Sequence, residues 1–294
     1  MQKTIALLVT TLLLGTCAFA EELILDGNEP VKKLQQVYHV YGDVNLLPTT
    51  RILYYKPRIV IKIVYPKIES ATEDASIDSF NQAVTNLTTN IAADFRKQVA
   101  DVKDVQASMS KSDLHNNITV DFDTSIINAD EMPIISVRFS SQGYISGNAH
   151  PFHRYSVLNF DLANGQPIDL DDLFSFDSNY LEVLSEYSRS VLSRKLTDKQ
   201  MLNEGTEPKP ENFKNWNIKP YGLMITFDEA QVAPYVNGPQ TVLIPFSAIK
   251  GILASDTPLA DCLKHQKRCF RNKVLTGGFI DEAAVKSVNK TQSA

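Results

Sequence analysis

The sequence GYISGNAHP, at residues 143–151, lies at the centre of the pattern that decides the fold. Two glycines and a proline within nine residues predict a loop. It is followed by NFDL at 159–162, the pair Asn164-Gly165 and the aspartate-rich DLDDLF at 169–174. This order predicts a loop, a strand, a tight hairpin turn, a second short strand and the start of a helix.

Upstream of this loop the sequence predicts a strand and a long helix. Residues 58–65 are rich in β-branched side chains and are followed by Pro66, which predicts a strand that is buried on most of both faces and ends at the proline. Over residues 74–104 apolar residues recur at helical spacing, and Asp74 or Ser76 can cap the start. The apolar stripe of this helix is expected to lie across a sheet.

Further strands are predicted where apolar and polar residues alternate. The first three are expected to form an antiparallel meander, and the last two to pair with each other later in the chain. These strands lie at residues 118–126, 135–139, 155–162, 223–227 and 241–245. A second helix is predicted over residues 179–196, and Ser247 is expected to cap a short one. Polar residues and two prolines at 197–215 predict an exposed excursion.

The order of these elements is typical of an α+β protein rather than of alternating βαβ units. We predict antiparallel sheets packed against a long amphipathic helix and a second helix, in two intimately packed subdomains. The predicted segments are a signal peptide at 1–20, an N-terminal extension at 21–51, a smaller strand and helix subdomain at 52–115, the main α+β domain at 116–254 and a tail at 255–294 with a disordered end.

The N-terminus has the three parts of a secretory signal. Lys3 precedes an apolar run at residues 5–14, and Ala18-Phe19-Ala20 forms a cleavage site, so the mature chain is expected to begin at Glu21. The alternatives are lipidation at Cys17 and a retained membrane anchor, although the run is shorter than the roughly 20 residues of a spanning helix. We expect an exported protein, either periplasmic or secreted, with no transmembrane anchor.

The charge limits the class of partner. The net charge over 294 residues is −5, and this acidic balance disfavours a nucleic-acid partner, which needs a concentrated basic face. A basic partner is favoured instead.

Two cysteines, Cys262 and Cys269, follow the signal. In an exported protein such a close pair most simply forms a local disulfide. The competing hypothesis is a metal site with His265 as a third ligand, but structural zinc sites take four donors in a recognisable spacing. We expect no metal and no cofactor.

Several motifs resemble those of one exported domain family. They are GxxHP at 147–151, NFDLxNG at 159–165, IxLxDLF at 168–174, LxIxF at 223–227 and APYxxG at 233–238. The family is a domain of unknown function that forms the extracellular part of the anti-sigma factor RsiV and precedes the catalytic domain of the peptidoglycan deacetylase PdaC. The resemblance extends over residues 52–254.

The resemblance implies an α+β domain that works at the cell wall. In RsiV the domain binds lysozyme, whose basic surface suits an acidic partner. This chain is expected to differ from both proteins, because Met1–Lys3 are expected to be too short to hold a sigma factor and no deacetylase domain is expected to follow. A sigma factor is therefore not an expected partner.

Two loops carry the candidate binding residues. These are Pro234, Tyr235, Val236, Asp228 and Glu229 on the later loop, with Tyr144, Asn148 and His150 on the earlier one. An aromatic residue beside a proline is ordered at low cost and can fill a partner's cleft, and acidic residues steer a basic partner. The alternative is that Tyr235 folds back over the sheet edge.

No catalytic residue is predicted. His150 and His153 form an H-x-x-H pair, but two ligands on a loop are a weak metal pattern, and His150 is expected to form a hydrogen bond within its loop. Asp169, Asp171 and Asp172 have the chemistry of an acid and base pair for glycan cleavage, although adjacent aspartates at this place are expected to cap a helix.

The leading hypothesis is an exported, non-catalytic binding module that recognises a cell-wall component or a lysozyme-type wall-degrading enzyme. One alternative is a wall-glycan hydrolase or esterase with Asp172 or His150 as catalytic group, which requires these residues to converge in a deep pocket. Another is a structural envelope protein, which an extensive exposed apolar patch would favour.

Overall fold

A computed structural model describes most of the chain. It covers residues 44–56, 58–129 and 132–257, with the short segments 19–22, 33–36, 38–41, 259–260, 263 and 275–276. The predicted disulfide between Cys262 and Cys269 lies outside these residues. So does the predicted signal peptide, apart from its last two residues.

The first layer is a large sheet of eight strands. A separate antiparallel pair, β1 (Phe19–Glu22) and β2 (Lys33–Gln36), precedes it. The strands of the large sheet are β3 (Tyr38–Tyr41), β4 (Val44–Tyr55), β5 (Ile59–Glu69), β6 (Asn116–Ala129), β7 (Met132–Tyr144), β8 (Phe152–Asp161) and β9 (Gln166–Pro167), which are neighbours in chain order, and β13 (Leu275–Thr276), which pairs with β6. In this sheet only the β5–β6 pairing is parallel among the described strands.

The parallel pairing follows from the helix that connects its two strands. Helix α1 (Ala75–Asp101) and the short α2 (Lys103–Ala107) carry the chain back to the starting end of β5, as a parallel connection requires. The predicted long helix is thus confirmed. Asp74 caps it, because its carboxylate accepts hydrogen bonds from the backbone N–H of Ser76 at 2.8 Å and of Ile77 at 3.4 Å.

The apolar stripe of α1 packs on one face of the large sheet. The stripe comprises Ile77, Phe80, Val84, Ala92, Phe95 and Val99, all buried. Phe80 meets Phe160 of β8 edge-on, with ring centroids 5.4 Å apart. These residues form the first hydrophobic core with the inward side chains of β4 to β8.

The prediction for β5 is wrong in two respects. The strand continues through Pro66 to Glu69. Pro66 pairs with Pro48 of β4, and because proline has no backbone N–H, no N–H of this pair is left without a hydrogen-bond partner. Burial along β5 alternates, with Ile61 buried and Val60 38% exposed, so only one face is fully covered. Sequence analysis also missed β4.

The antiparallel meander of β6, β7 and β8 matches the prediction. Gly143 and Tyr144 belong to β7, so the loop between β7 and β8 comprises residues 145–151 and is called here the first loop. The hairpin at Asn164-Gly165 is present, with a positive φ of 65° at Gly165 and the Asp161 carboxylate accepting the N–H of Ala163 at 2.8 Å.

A second core lies around a three-stranded antiparallel sheet. Its elements are α3 (Tyr180–Leu192), α4 (Lys199–Gly205), β10 (Trp216–Lys219), β11 (Gly222–Phe227), β12 (Gln240–Pro245), α5 (Phe246–Ile249) and the 3-10 turns Asp171–Leu173, Pro210–Phe213 and Tyr235–Asn237. The predicted exposed excursion at 197–215 is wrong, because Leu202 and Phe213 are buried in this core. The Ser247 cap is wrong too, since α5 begins at Phe246 without a side-chain cap.

The predicted α+β class, with sheets packed against a long helix and a second helix, is confirmed. The two cores share strands, because Ile127 of β6 and Ile134 of β7 lie in the second core while most of both strands lies in the first. β4 crosses the predicted boundary at residue 52. Among the described residues, no helix is both long enough and apolar enough to cross a membrane.

Candidate functional site

The first loop meets a second loop, residues 228–239 between β11 and β12, at a contact between Tyr235 and His150. The two rings lie 3.9 Å apart between centroids. The Tyr235 hydroxyl donates a hydrogen bond to the backbone oxygen of Pro151. Partial burial and the nearby Glu229 carboxylate raise the pKa of Tyr235 above its ordinary value. The two loops predicted separately thus form one surface.

The two acidic residues of the second loop hold it against β8. The Glu229 carboxylate accepts the backbone N–H of His153 at 2.8 Å, and that of Asp228 accepts the N–H of Tyr155 at 3.3 Å. On its edge away from β7, β8 pairs only with the short β9 among the described strands. The two carboxylates therefore accept backbone N–H groups of β8 that a neighbouring strand would otherwise bind. Asp228 also accepts a hydrogen bond from Asn215 at 3.1 Å and lies 3.4 Å from the Lys214 ammonium.

The first loop is held from beneath by a buried polar cluster. Gln106 donates to the backbone oxygen of Ser146 at 2.9 Å, and the amide oxygen of Asn116 accepts the Ser146 N–H at 3.0 Å. All three residues are buried. At the surface of the loop, the Tyr144 hydroxyl donates to the backbone oxygen of Asn148 at 3.2 Å. The loop is therefore preorganised rather than loosely placed.

Two open clefts flank Tyr235. The first has a volume of about 480 Å³ and is lined by Asn117, Thr119, Gln142, Gly143, Tyr144, Pro151, Phe152, His153, Glu229 and Tyr235. The second, of about 570 Å³, is lined by Gly147, Asn148, Ala149, His150, Phe152, His153, Arg154, Lys214, Asp228, Glu229 and Tyr235. Six of the eight predicted binding residues line one or both clefts. Of the other two, Pro234 is exposed beside Tyr235 and Val236 is 90% exposed.

Sequence reasoning missed a contact at the edge of the first cleft. The Ser140 hydroxyl lies 2.7 Å from Nε2 of His153. The His153 ring also packs on the Tyr155 ring, with the two ring centroids 4.8 Å apart. The guanidinium of Arg138, on the neighbouring strand β7, lies 5.2 Å from the centre of the Tyr155 ring. The alternation of side chains along a strand places Ser140 and Gln142 on one face of β7, and His153 and Tyr155 on one face of β8. Only the strand register shows that the two pairs are neighbours.

The residues considered for chemistry in the sequence do not all lie together. His150 and His153 both line the second cleft, but His150 contacts Tyr235 and the Pro151 oxygen, at 3.1 Å from Nδ1, whereas His153 contacts Ser140. Asp172 lies in the 3-10 turn Asp171–Leu173 beside the second core, where its carboxylate accepts the N–H of Asp169 at 2.8 Å. No cluster of three or more His, Cys, Asp or Glu side chains suited to a metal ion occurs in the described part of the chain.

The fold and the loops define a class of protein, an α+β domain with a two-loop cleft on the edge of a large sheet. Residues 171–247 match the family DUF3298, described as a protein of unknown function. A solved structure of a DUF3298 family member from Bacteroides fragilis NCTC 9343 covers 76% of this chain and 97% of its own, with a TM-score of 0.51 and 18% identity. This likeness concerns the fold.

The curated proteins that are similar in sequence include a deacetylase and an esterase. Peptidoglycan-N-acetylmuramic acid deacetylase PdaC of Bacillus subtilis (strain 168) is 29% identical over 192 residues, which are 64% of this chain and 38% of PdaC. Esterase Rv3036c of Mycobacterium tuberculosis (strain ATCC 25618 / H37Rv) is 28% identical over 103 residues, 35% of this chain and 45% of the esterase. The chain spans less than half the length of either relative. The predicted resemblance to PdaC and to a domain of unknown function is confirmed, and it links the chain to a cell-wall protein.

Proposed function

We propose that this protein is an exported binding module that recognises a cell-wall component through the two clefts beside Tyr235. The observation that supports the proposal most is the contact of Tyr235 with His150 and Pro151, because it joins both candidate loops into one wall between the clefts. The similarity to PdaC, whose name states that it acts on peptidoglycan, supports a wall component as the ligand.

The lining of the clefts suits a glycan. Amide and hydroxyl side chains, such as those of Gln142 and Thr119, match the hydroxyl and acetamide groups of wall sugars, and Tyr235 offers an aromatic ring. A volume of about 480 to 570 Å³ is in the range of small-molecule sites. The buried support of the first loop lowers the ordering cost of binding.

A lysozyme-type enzyme is the other candidate ligand of the same surface. Val236 projects from the second loop and is 90% exposed, so it can enter a partner's cleft. The Lys214 ammonium lies 3.4 Å from the Asp228 carboxylate and offsets part of its charge, which weakens the predicted role of Asp228 in steering a basic partner. This geometry favours a wall component over a muramidase.

Calorimetry with a murein disaccharide and, separately, with lysozyme tests the proposal. We expect the disaccharide to bind, and Tyr235→Ala to weaken its binding about 30-fold, the effect of losing an anchor worth about 2 kcal/mol. Tyr235→Phe keeps the ring and should retain most of the affinity. The matched control is Tyr221→Ala, an exposed tyrosine beyond the opposite end of β11.

Two results would contradict this proposal. One is that titration with the disaccharide and with lysozyme gives no heat of binding at low salt. The other is that Tyr235→Ala binds as tightly as the unmodified protein. Binding of lysozyme alone, weakened by the same variant, would instead assign the surface to a muramidase.

Export and the Cys262–Cys269 disulfide belong to the same proposal. They are supported by the sequence pattern at residues 1–20 and by the link to a cell-wall protein. Mass spectrometry of the protein recovered outside the cytoplasm should show an N-terminus at Glu21 and a mass two hydrogens lower before reduction than after it. An intact N-terminus would contradict export by cleavage.

Ester hydrolysis is a second candidate function. It is favoured by the similarity to Esterase Rv3036c and by the 2.7 Å contact of Ser140 with His153 beside the first cleft. The residues differ from those of the sequence hypothesis, because Asp172 and His150 lie in different parts of the fold and do not share a pocket.

A further inference from the structure

The Ser140 and His153 side chains are brought together by the register of two antiparallel strands. Gln142 of β7 lies directly opposite His153 of β8, and Ser140 lies opposite Tyr155. Ser140 and His153 are therefore diagonal neighbours on one face of the sheet, and side chains in this relation are within reach of each other. The 2.7 Å separation of Oγ and Nε2 is that of a hydrogen bond between a nucleophile and its general base.

The surroundings of His153 favour the neutral imidazole. Burial, together with the positive charge of Arg138, lowers the pKa of His153, and the opposing effect of the Glu229 and Asp228 carboxylates does not outweigh them. The imidazole is therefore neutral at pH 7, so it can accept a proton from the hydroxyl. The backbone N–H of His153 donates to the Glu229 carboxylate, which fixes the backbone at this position, and the contact with the Tyr155 ring positions the imidazole.

We propose that Ser140 and His153 are the nucleophile and general base of an esterase site that hydrolyses short acyl esters bound in the first cleft, which His153 lines and Ser140 adjoins through its contact with His153. This inference rests on the second candidate function. Both His153 and Gln142 line that cleft, and the Gln142 amide is placed opposite His153, where it can donate to the carbonyl oxygen of the ester. The cleft is open and of about 480 Å³, so it suits a small acyl group carried on a larger alcohol.

The reaction needs only the ester and water. The Ser140 oxygen forms a bond to the carbonyl carbon while its proton passes to Nε2 of His153. The ester C–O bond then breaks, and the alcohol leaves with that proton. Water attacks the acyl-serine with His153 again as base, which releases the carboxylic acid and restores the serine.

Hydrolysis of p-nitrophenyl acetate by the full chain tests the assignment. We expect turnover above the uncatalysed rate, and Ser140→Ala should reduce it at least about 100-fold. The rate should fall on the acidic side with a midpoint below the ordinary histidine value of 6.5, where His153 becomes protonated. In a fluorophosphonate probe the serine oxygen displaces fluoride from phosphorus and becomes phosphonylated, so the probe should label the peptide that contains Ser140.

The matched control is Ser190→Ala, which removes an exposed hydroxyl on α3 and should leave the rate unchanged. Circular dichroism checks that Ser140→Ala is folded. Hydrolysis that survives Ser140→Ala, or a probe on another serine, would overturn the assignment while leaving esterase activity in place. No hydrolysis and no labelling by the unmodified chain would overturn both, and neither result bears on the binding of murein fragments.

Discussion

At the scale of single residues, a buried group of charges lies between the two sheets. The Asp123 carboxylate of β6 lies 2.7 Å from Nε of Arg138 and 2.5 Å from Nζ of Lys219, and the three side chains are 12–13% exposed. Burial alone would raise the pKa of Asp123, but the two cations outweigh it and hold the pKa below the ordinary value. Lys219 comes from β10, so the group links the second sheet to the first.

Asp123→Asn should reduce the free energy of unfolding by about 3–5 kcal/mol at pH 7, because Arg138 and Lys219 would remain buried without their counter-charge. The pKa of Asp123 is lowered on folding, so its contribution is present above the unfolded value of about 3.9 and is lost as the pH falls through the folded value. The difference between variant and parent in urea unfolding should therefore shrink below about pH 4.

Asp177→Asn is the control for this variant, since it makes the same change at an exposed position. A loss of stability equal in both variants, or one for Asp123→Asn that is the same at pH 3 and pH 7, would show that the buried charges do not act in this way.

At the scale of elements, the segment 197–215 shows how composition misleads. Its prolines and polar residues predicted an excursion into solvent, yet it forms α4 and the 3-10 turn Pro210–Phe213. Asp198 caps α4 by accepting the N–H of Met201 at 3.0 Å. Phe213 is fully buried and meets Phe227 of β11 edge-on, with centroids 5.9 Å apart. Leu202 and Phe213 anchor the segment on the core, and Gln231 holds it by donating to the backbone oxygens of Gly205 and Asn212.

Phe213→Ala should lower the free energy of unfolding by about 3–5 kcal/mol, because it empties a buried site that the neighbouring rings cannot close. Lys209→Ala, one turn earlier and exposed, should change it by less than about 0.5 kcal/mol. Urea titration followed by circular dichroism measures both. Equal, small effects would place Phe213 outside the core and support the excursion that the sequence predicted.

At the scale of the whole molecule, a buried network joins the two cores. The Ser136 hydroxyl of β7 donates to Asn159 of β8 at 2.6 Å and accepts from the Asn217 amide at 3.1 Å and the Ile218 N–H at 2.9 Å, both in β10. Asn159 in turn donates to the backbone oxygen of Trp216 at 2.9 Å. Because these groups are buried, a lost partner is costly, and the network favours unfolding of both cores together.

Ser136→Ala should uncouple the two cores. Trp216 is the only tryptophan of the chain and lies in the second core, so its fluorescence reports that core while circular dichroism reports all helices and strands. In the parent the two urea transitions should coincide, and in Ser136→Ala they should separate, with a loss of about 1–3 kcal/mol. Ser112→Ala, an exposed serine in the loop before β6, is the control. Coincident transitions in Ser136→Ala would mean that the network does not couple the cores.

The sequence by itself determined the types of element. Periodicity of 3.6 over residues 74–104 and of 2 over residues 118–126 identified α1 and β6, because these patterns depend only on which face of an element is buried. The turn at Asn164-Gly165 followed from residues that accept a positive φ. The two loops that carry the candidate binding residues were found from their glycines, prolines and aromatic residues.

Only the tertiary structure decided which of these parts meet. The parallel pairing of β5 with β6, the burial of Phe213, the meeting of Tyr235 with His150 and the contact of Ser140 with His153 all join residues distant in the chain or on different strands. A local pattern fixes the face on which a side chain lies but not its neighbour across the sheet, since strand register and loop packing depend on the whole core.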